Sequence, residues 1–348
     1  MKKVLKIVCI VLAVLLLLSV ALAGVAFLYV DSMLGRMNYI ASDTTVSPEV
    51  ASSIDREEWV TTGPEDTSPI FDSSDVTFPS DLPDMEEQGK DIVNIMLVGQ
   101  DARPGEPAQR SDSMILMTVN RMTGEIILTS FLRDQYVQIP GFGNTKLCHA
   151  YSYGGMTLLN QTIENHYGVQ IDGNVTFNFE GFEKIIDMLG GVEITLTEKE
   201  AEAVNSVGWV NNWRLTAGTH ILTGKQALCY ARMRHIDSDF QRTERQRKVI
   251  LSIFDAYKNC TLTEMLAILE EMMPLITTNI PKTEIYGYAF NLFPMLSGAQ
   301  MKTQQMPAAG TFQSGLIKVS EGYMASCQYN IDFAANREIL NKIFDDEK

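Results

Sequence analysis

An unbroken apolar segment near the amino terminus constrains this chain most. From Ile7 to Val30 every side chain is apolar or small, with hydroxyl groups only at Ser19 and Tyr29. At about 1.5 Å per residue, a helix of this length is long enough to cross a hydrocarbon layer about 30 Å thick. The sequence therefore predicts a transmembrane helix over residues 7–30, preceded by a short amino-terminal segment at 1–6.

A cleaved signal peptide is the alternative interpretation of this segment. Three lysines among the first six residues form a basic start, and Ala21-Leu22-Ala23 resembles a cleavage site. The apolar run continues past that site and is longer than the apolar part of a typical signal, which favours a retained anchor. Because the lysines precede the helix and Asp31 follows it, the positive-inside rule places residues 1–6 in the cytoplasm and the rest of the chain outside the cell membrane.

Residues 31–90 are predicted to form an acidic extracytoplasmic linker. Between residues 41 and 90, thirteen acidic residues stand against Arg56 and Lys90, so this stretch carries most of the formal net charge of −15. A segment this charged, with many Ser, Thr and Pro residues, buries little apolar surface and stays solvated. A regulatory contact is the alternative role for its acidity. Residues 91–348 remain as one folded domain, and the low isoelectric point says little about what that domain binds.

The five cysteines indicate neither a zinc site nor a disulfide framework. Cys9 falls in the predicted membrane span, and the cysteines at 148, 229, 260 and 327 are irregularly spaced without a Cys-x-x-Cys pair. Buried free thiols are the favoured state, with one incidental disulfide as the alternative. Nothing around them favours a reactive thiolate.

Strand and helix patterns alternate after residue 90. Asp91–Gly99 is typical of a strand buried on both faces, and Ser113–Val119 with Glu125–Ser130 predicts a hairpin. Further strands are predicted over Val175–Phe179 and Val192–Leu196, and helices over 156–167, 182–189, 243–258 and 261–273. A strand pair or extended segment and a closing helix are expected at the carboxy terminus. This order predicts a three-layer α/β/α fold with a central mixed sheet.

Two loop ends carry carboxylates beside arginines. Asp101 and Arg103 follow the first predicted strand, and Arg110 and Asp112 precede the second. Because loop ends of adjacent strands can converge, these groups have the chemistry that a magnesium-bound diphosphate requires: hard oxygen ligands and guanidinium groups. Ordinary turn formation is the alternative, since Asp and Gly also favour turns.

The cations of the chain concentrate between residues 230 and 248, where five arginines and a lysine stand against three carboxylates. Arg232 and Arg234 alternate on a predicted strand and would face the same side. Arg242 and Arg245 would share a face of the following helix. A solvated helix face explains the later cations of this stretch, but it suits Arg232 and Arg234 poorly because they follow a segment predicted to be buried. The cluster therefore indicates an anion in a cleft, with phosphate as the first candidate.

A further arginine, Arg133, directly follows the third predicted strand, where it would be both positioned and accessible. An ion pair with Asp134 is the alternative role. His149 and His235 are expected to be structural hydrogen-bonding groups. The sequence contains no G-x-S-x-G elbow, phosphate-binding P-loop or His-x-x-x-His pair, which disfavours serine hydrolases and nucleoside triphosphatases.

Six short motifs together resemble the LytR-CpsA-Psr family of bacterial cell-wall enzymes, in order and spacing, over about residues 91–260. The motifs are Asn94–Arg103, Arg110–Ser113, Phe131–Asp134, Lys146–Tyr151, Leu222–Leu228 and the arginine cluster at 230–248. A membrane anchor with an external domain also fits the architecture of that family. After about Cys260 the resemblance is loose, and the role of residues 260–348 is unassigned.

The resemblance implies a transferase that moves an anionic glycopolymer from an undecaprenyl diphosphate carrier to peptidoglycan, usually to a muramic acid 6-hydroxyl. It implies that Asp101 and Asp112 hold magnesium, or manganese. The residues it implies for the diphosphate are Arg110, Arg133, Arg232, Arg234, Arg242, Arg245 and Gln246, with Asp239 near the ion or its ligands. The expected catalytic residues are Asp101, Asp112, Arg133 and Arg234. Phosphoryl transfer needs mainly positioning and positive charge, which arginines and a divalent cation supply.

The chain departs from the family pattern at Cys148, where asparagine is frequent, and at Gln241, where glycine is common. Both departures bear on local geometry, because neither residue is an expected ligand. Two other functions remain open: a non-catalytic envelope protein that binds lipid phosphate or anionic polymer, and a polyprenyl diphosphate diphosphatase with water as the acceptor. Nucleic acid is not an expected partner, since the domain is predicted to be external and has no helix-turn-helix pattern.

Overall fold

The computed structural model describes residues 24, 27–41, 43, 45–47, 51, 70–73, 76, 78, 89–100, 111–207, 213–233, 236–288, 298–320 and 323–344. The strands are β1 (Asn38–Tyr39), β2 (Ile70–Asp72), β3 (Ile92–Gln100), β4 (Ser111–Asn120), β5 (Glu125–Phe131), β6 (Tyr136–Ile139), β7 (Gly143–Lys146), β8 (Gly173–Phe177), β9 (Val192–Leu196), β10 (Gly218–Leu222), β11 (Ile276–Thr278), β12 (Gln300–Met306), β13 (Gln313–Ser320) and β14 (Tyr323–Tyr329). The helices are α1 (residues 27–34), α2 (Leu147–Tyr167), α3 (Phe179–Met188), α4 (Glu198–Asn205), α5 (Gly224–Arg232), α6 (Asp239–Lys258), α7 (Leu262–Met272), α8 (residues 282–288) and α9 (Phe333–Phe344).

A seven-stranded sheet in the order β1-β11-β8-β3-β4-β5-β12 forms the centre of the domain. Strand β3 pairs antiparallel with β4 and parallel with β8. Strand β5 pairs antiparallel with β4 and parallel with β12. The central mixed sheet predicted from the sequence is therefore confirmed, and the predicted hairpin is formed by β4 and β5.

Helices pack on both faces of this sheet. On one face, Met96 and Val98 join a cluster with residues of α2. On the other face, Val93 and Ile95 pack with Ile280 just before α8. Successive side chains of a strand point to opposite faces, so the mostly apolar run of β3, interrupted by Asn94, supplies both clusters.

Helix α2 begins nine residues before the predicted start. Gly154 and Gly155 have non-helical backbone angles inside it, so the helix consists of two segments across a kink. The glycine pair interrupts the apolar repeat, and only the second segment has a recognisable helical pattern in the sequence. Helix α6 likewise begins at Asp239 rather than near Thr243.

Three smaller sheets complete the described structure, one of them the antiparallel pair of β6 and β7. Strands β9 and β10 pair antiparallel, and their apolar side chains form a cluster with α4, α5 and Val249 of α6. At the carboxy terminus, β13 pairs antiparallel with β14 and parallel with β2, and α9 follows. The predicted terminal strand pair and closing helix are confirmed.

The expected solvated linker needs correction in several described parts of residues 31–90. Met33 and Leu34 are each only 6% exposed, and Ala51 and Val76 are also buried. Strand β1 pairs with β11, and β2 pairs with β13. The acidic composition concealed these few apolar and strand-forming residues, because composition averages over a segment while packing depends on individual side chains.

No helix among the described residues combines the length and apolarity needed to cross a membrane. Of the predicted span at 7–30, only residues 24 and 27–30 are described, so the anchor stays a prediction. Cys148, Cys229, Cys260 and Cys327 are free thiols, with Cys148 and Cys327 buried.

Candidate active site

The candidate site lies at the sheet edge where β3 and β5 end and β4 begins. Gly99 pairs with Ser113 and Gln100 pairs with Ser111, so Asp112 is the extra residue of a bulge. A bulge redirects a side chain out of the regular alternation of a strand. The Asp112 side chain remains 16% exposed. Asp101 and Arg110 lie outside the described residues, and their convergence with Asp112 stays a prediction.

Arg133, just beyond the end of β5, binds Asp112. Its Nη1 donates a hydrogen bond to Asp112 Oδ1 at 2.8 Å. Its Nε also lies 3.5 Å from Asp134 Oδ2, and Lys146 Nζ lies 2.9 Å from Asp134 Oδ1. The Arg133 carbonyl accepts a hydrogen bond from the Cys148 amide at 3.1 Å, which fixes the backbone here. Arg133 therefore forms the ion pair with Asp134 and also reaches the carboxylate at the start of β4.

The sequence predicts a strand at Arg232, and this prediction is wrong. Arg232 is the last residue of helix α5. The helix begins with a capping box in which Thr223 and Gln226 satisfy each other's backbone amides. Ala227, Tyr230 and Ala231 are buried, while Arg232 is exposed. The Arg232 guanidinium stands 4.1 Å from the centre of the Phe179 ring at the start of α3, a cation–π contact. Arg234 and His235 lie outside the described residues.

Arg242 lies in the first turn of α6 and is 1% exposed. Its Nη2 is 2.6 Å from Asp239 Oδ1. Thr243 Oγ1 donates to Gln305 Oε1 of β12 at 3.0 Å, and Gln305 pairs with Ser130 of β5. This bond holds the start of α6 beside the end of the strand from which Arg133 follows.

Arg245 faces a different set of partners. It is 2% exposed and donates to both oxygens of Asp237, at 2.6 and 2.7 Å. It also donates to the Met233 carbonyl at 2.9 Å, and Glu200 lies 3.6 Å away. Burial lowers the pKa of the Arg245 guanidinium, but the hydrogen bonds and charge of Asp237, with the charge of Glu200, outweigh burial and raise it. In this structure its donors hold α6 to the preceding loop and α4, so its role as a diphosphate ligand stays a prediction.

A cavity of about 260 Å³ opens next to these groups, between the sheet and helices α3, α5, α6 and α7. Its apolar wall includes Leu97, Ile115, Phe182 and Ile253. Its polar lining includes Asp112, Arg232 and Gln246, and the Gln246 amide is oriented by the Ala231 carbonyl at 3.5 Å. The lining thus combines a mainly apolar surface with an aspartate, an arginine and a glutamine, which suits a molecule that is apolar at one end and anionic at the other.

The structure therefore brings six of the predicted residues to one sheet edge and cavity. Asp112, Arg232 and Gln246 line the cavity. Arg133 is hydrogen-bonded to Asp112, and Arg242 forms an ion pair with Asp239 beside the end of β5. No group of three metal-binding side chains occurs among the described residues. Asp112 is the hard oxygen donor that magnesium or manganese prefers, and Asp101, the other predicted ligand, is not described. A divalent ion consequently stays a prediction.

Three residues of the site were not found from the sequence. Phe179 supports Arg232, Lys146 pairs with Asp134, and Asp237 holds Arg245. Lys146 begins one of the six motifs that resemble the family, and Asp134 ends another. That both belong to family motifs was the signal from which their contact could have been predicted. Phe179 carried no such signal, because its contact depends on how α3 and α5 pack.

Comparison with known proteins agrees with this architecture. The matched region is 33% identical to the polyisoprenyl-teichoic acid–peptidoglycan teichoic acid transferase TagT of Bacillus subtilis over 215 residues, covering 61% of this chain and 66% of TagT. It is 39% identical to the similarly named TagU of Oceanobacillus iheyensis over 191 residues, covering 53% and 57% of the two chains. The match thus spans less than two thirds of these two relatives. A longer match, to TagU of Halalkalibacterium halodurans, is 33% identical and covers 71% of this chain and 77% of that protein.

Solved structures share the fold. A structure described as TagT bound to LIIa-WTA aligns with a TM-score of 0.59 at 28% identity, covering 73% of this chain and 90% of that chain. A structure of the LytR-CPS2A-psr family protein YwtF (TagT) with bound octaprenyl pyrophosphate lipid aligns with a TM-score of 0.56 at 26% identity, covering 75% and 93%. The LytR_cpsA_psr family model matches residues 58–332, most of the chain. The chain belongs to the LytR_cpsA_psr family.

Proposed function

We propose that this protein is a membrane-anchored, extracytoplasmic phosphotransferase that moves an anionic glycopolymer from an undecaprenyl diphosphate carrier to peptidoglycan, at a muramic acid 6-hydroxyl. The observation that carries the proposal is the cavity whose lining is mainly apolar and includes Asp112, Arg232 and Gln246. A polyprenyl diphosphate has the matching division into an apolar tail and an anionic head. The relatives named as teichoic acid transferases, and the TagT structure with octaprenyl pyrophosphate, support the same substrate class.

In the proposed reaction the acceptor hydroxyl attacks the phosphorus atom that carries the glycopolymer. A phosphodiester to the acceptor forms, the bond to the bridging oxygen breaks, and undecaprenyl phosphate leaves with that oxygen. The hydroxyl proton passes to a base, for which the carboxylates of the site are the candidates, because arginine cannot accept a proton at its pKa.

The residues divide this work by position. Arg232 and Gln246, which line the cavity, would bind the diphosphate, and Arg133 and Arg242 would stabilise negative charge that develops on its oxygens. Arg110, Arg234 and Arg245 are further proposed ligands. Asp112 and Asp101, with Asp239 nearby, would hold magnesium or manganese. Such an ion would neutralise phosphate charge and polarise the phosphoryl oxygens.

The test uses the full chain in lipid vesicles that contain a labelled glycopolymer on undecaprenyl diphosphate, with peptidoglycan fragments as acceptor. We expect labelled acceptor and undecaprenyl phosphate to appear together. We expect Arg232→Ala and Asp112→Asn to lower turnover about 100-fold or more, as for loss of a transition-state contact, with an unchanged circular dichroism spectrum. Arg214→Ala is the matched control, because Arg214 is an exposed arginine that donates only to its neighbour's carbonyl, Trp213 O, in the described structure.

The alternatives give different products. Undecaprenyl phosphate without labelled acceptor would identify a diphosphatase, since water would then be the acceptor. Salt-sensitive binding without either product would identify a binding protein. Full turnover in both Arg232→Ala and Asp112→Asn would remove the proposed site.

A further inference from the structure

The residues that follow the predicted membrane span are packed onto the folded domain. Met33 and Leu34 of α1 are each 6% exposed. They form a cluster with Met273 and Ile276, against which Val30 and Met37 also pack. The apolar contact thus begins within the predicted span itself, at Val30, and no spacer separates that span from the domain.

Polar contacts lock the same helix in place. Asp31 Oδ1 accepts a hydrogen bond from the Tyr286 hydroxyl at 2.9 Å and lies 3.4 Å from Lys282 Nζ. The same lysine donates to the Asp31 carbonyl at 3.1 Å. The rings of Phe27 and Tyr286 stack with centroids 5.3 Å apart. Exposed ion pairs contribute little individually. These contacts therefore fix the rotation of α1 about its axis more than they add stability.

A second set of contacts attaches Arg36 and the strand after it. Arg36 Nη2 lies 3.0 Å from Glu270 Oε1 on α7. Asn38 and Tyr39 then pair in parallel with Thr277 and Thr278 of the central sheet. A strand in register with its neighbour has a fixed direction and position, so the chain leaves α1 along a defined path.

The chain continues from β1 to the opposite side of the domain. Asp43 Oδ2 accepts hydrogen bonds from the Thr157 amide and hydroxyl at 3.2 and 3.3 Å, just after the kink of α2. The Val46 amide donates to the Tyr153 carbonyl at 2.7 Å. The described residues between 27 and 46 therefore attach in turn to α7, to α8, to the edge strand β11 and to α2, which a freely moving tether would not do.

The apolar cluster under α1 and the cavity lining have two side chains in common. Phe177 of β8 and Met272 of α7 contribute to the apolar cluster of Met33 and Leu34 and also line the cavity. Because they share these two side chains, the cluster and the cavity lining are adjacent. The end of the predicted span is therefore close to the apolar side of the cavity.

We propose that residues 27–40 are a rigid mount that fixes the orientation of the domain on the bilayer and holds the apolar cavity wall beside the membrane from which the lipid substrate comes. This inference rests on the proposed function and on the predicted membrane span. The partner that this segment holds against the domain's α1 side is the lipid bilayer itself. A prenyl chain would then pass from bilayer to cavity without the domain turning.

The first test measures the mount directly, without activity. The full chain carries the photo-crosslinking amino acid benzoylphenylalanine in place of Phe27, in vesicles of phosphatidylglycerol and phosphatidylethanolamine. We expect crosslinks within the same chain to residues 282–288, mapped by mass spectrometry. Crosslinks to lipid alone would overturn the proposal.

The second test separates orientation from catalysis. A flexible Gly-Ser insertion of about ten residues between Val30 and Asp31 keeps residues 31–46 but breaks the rigid connection to the membrane. The matched control places the same insertion between Thr61 and Thr62. We expect the first insertion to lower turnover of a long-chain substrate in the same vesicles at least fivefold, with unchanged turnover of a short-chain, water-soluble prenyl diphosphate substrate.

The outcomes separate this inference from the proposed function. Unchanged turnover of both substrates would overturn the role of the mount, as would an equal loss on both substrates, which indicates damage to the domain. No turnover of either substrate by the wild-type chain would instead contradict the proposed function, and the crosslinking result would still decide whether residues 27–40 are docked.

Discussion

At the residue scale, the site keeps its guanidinium groups close together by pairing them with carboxylates. Arg133 contacts Asp112, Arg242 contacts Asp239, and the partly separate Arg245 contacts Asp237. Arginines gathered at one site repel each other, and a partly buried setting screens that repulsion less than water does. The carboxylates offset this repulsion while no substrate is bound, and a diphosphate would compete with them for the same donors.

Arg232 is positioned by an aromatic ring, which leads to a prediction about Phe179. Replacing Phe179 by Leu keeps an apolar side chain but removes the cation–π contact, worth about 0.5–1 kcal/mol at an exposed site. We expect KM for the lipid diphosphate to rise about two- to fivefold with little change in kcat. Phe254→Leu is the matched control, because Phe254 lies under Lys258 Nζ at 4.5 Å on the same helix as Gln246 but does not line the cavity. Equal effects of the two substitutions would contradict a specific role for Phe179.

Arg245 leads to a prediction about stability. Arg245→Ala would leave the Asp237 carboxylate without its bidentate partner and the Met233 carbonyl without its donor. We expect the free energy of unfolding to fall by about 2 kcal/mol, because hydrogen bonds to charged groups contribute about 1.5–3 kcal/mol each and the Asp237 side chain keeps 25% exposure. Urea unfolding measures this loss. Lys248→Ala on the same helix breaks only the exposed pair with Glu244 and should change stability by less than about 1 kcal/mol; a similar loss in both variants would contradict the structural role.

The contact between Arg133 and Asp112 could be predicted from the sequence, but the secondary structure around Arg232 could not. Asp112 and Arg133 were expected at strand ends, and such ends meet at one edge when the strands are neighbours, so their contact follows from topology. The sequence predicts a strand over Arg232 and Arg234, on which the two side chains would share one face. The capping box of Thr223 and Gln226 was a stronger local signal for a helix. The bonding of Arg245 to Asp237 could not be predicted, because it depends on the path of the loop between α5 and α6.

At the element scale, helix α2 is the part whose geometry depends most on two residues. Its kink occurs at Gly154 and Gly155, and Gly155 has φ +59° and ψ −148°, a conformation that residues with a side chain rarely adopt. A methyl group on Gly155 would also overlap the Asp43 carboxylate. The kink separates the turn containing Tyr151 and Tyr153 from the helix that covers the sheet, and the contact with Asp43 fixes it from outside.

Gly155→Ala is therefore expected to be destabilising, by about 1–3 kcal/mol for the backbone conformation alone. Thermal unfolding of the two single variants measures the effect against Gly287→Ala in α8, where an added methyl group meets nothing within 4 Å. The control should be neutral or slightly stabilising, as is usual for glycine to alanine in a helix. If Gly155→Ala unfolds at the same temperature as the control, the kink is not a fixed feature of the helix.

Short pairings explain why other elements escaped the sequence analysis. Strands β1 and β11 have two and three residues, too few for a periodic pattern to distinguish a strand from a loop. They exist because they add to an edge that β8 already provides. Long, strongly apolar elements such as β3 need no such partner to be recognised, which is why the centre of the sheet could be predicted and its edge could not.

At the scale of the whole molecule, the predicted domain boundary at residue 91 and the packed segments before it give different expectations for truncated fragments. Sequence composition marked residues 31–90 as a spacer, yet β2 adds to β13 and α1 covers Met273 and Ile276. The family match also begins before residue 91, at residue 58. The domain that folds stably is therefore expected to include residues that the acidic composition assigned to the linker.

Three fragments test this expectation: residues 31–348, 42–348 and 91–348. Burial of Met33 and Leu34 is worth about 1.5–3 kcal/mol per side chain, which is an upper estimate because unfolded chains are partly compact. We expect 42–348 to unfold at a temperature about 5–10 °C below that of 31–348, since about 1 kcal/mol corresponds to about 2–4 °C for a domain of this size. The fragment 91–348 should be lower still, because it also lacks β2 and exposes the apolar side of β13. Calorimetry of the three purified fragments gives the comparison. Equal unfolding temperatures for 31–348 and 42–348 would mean that α1 and β1 rest on the domain without stabilising it, and the segment would then be a tether after all.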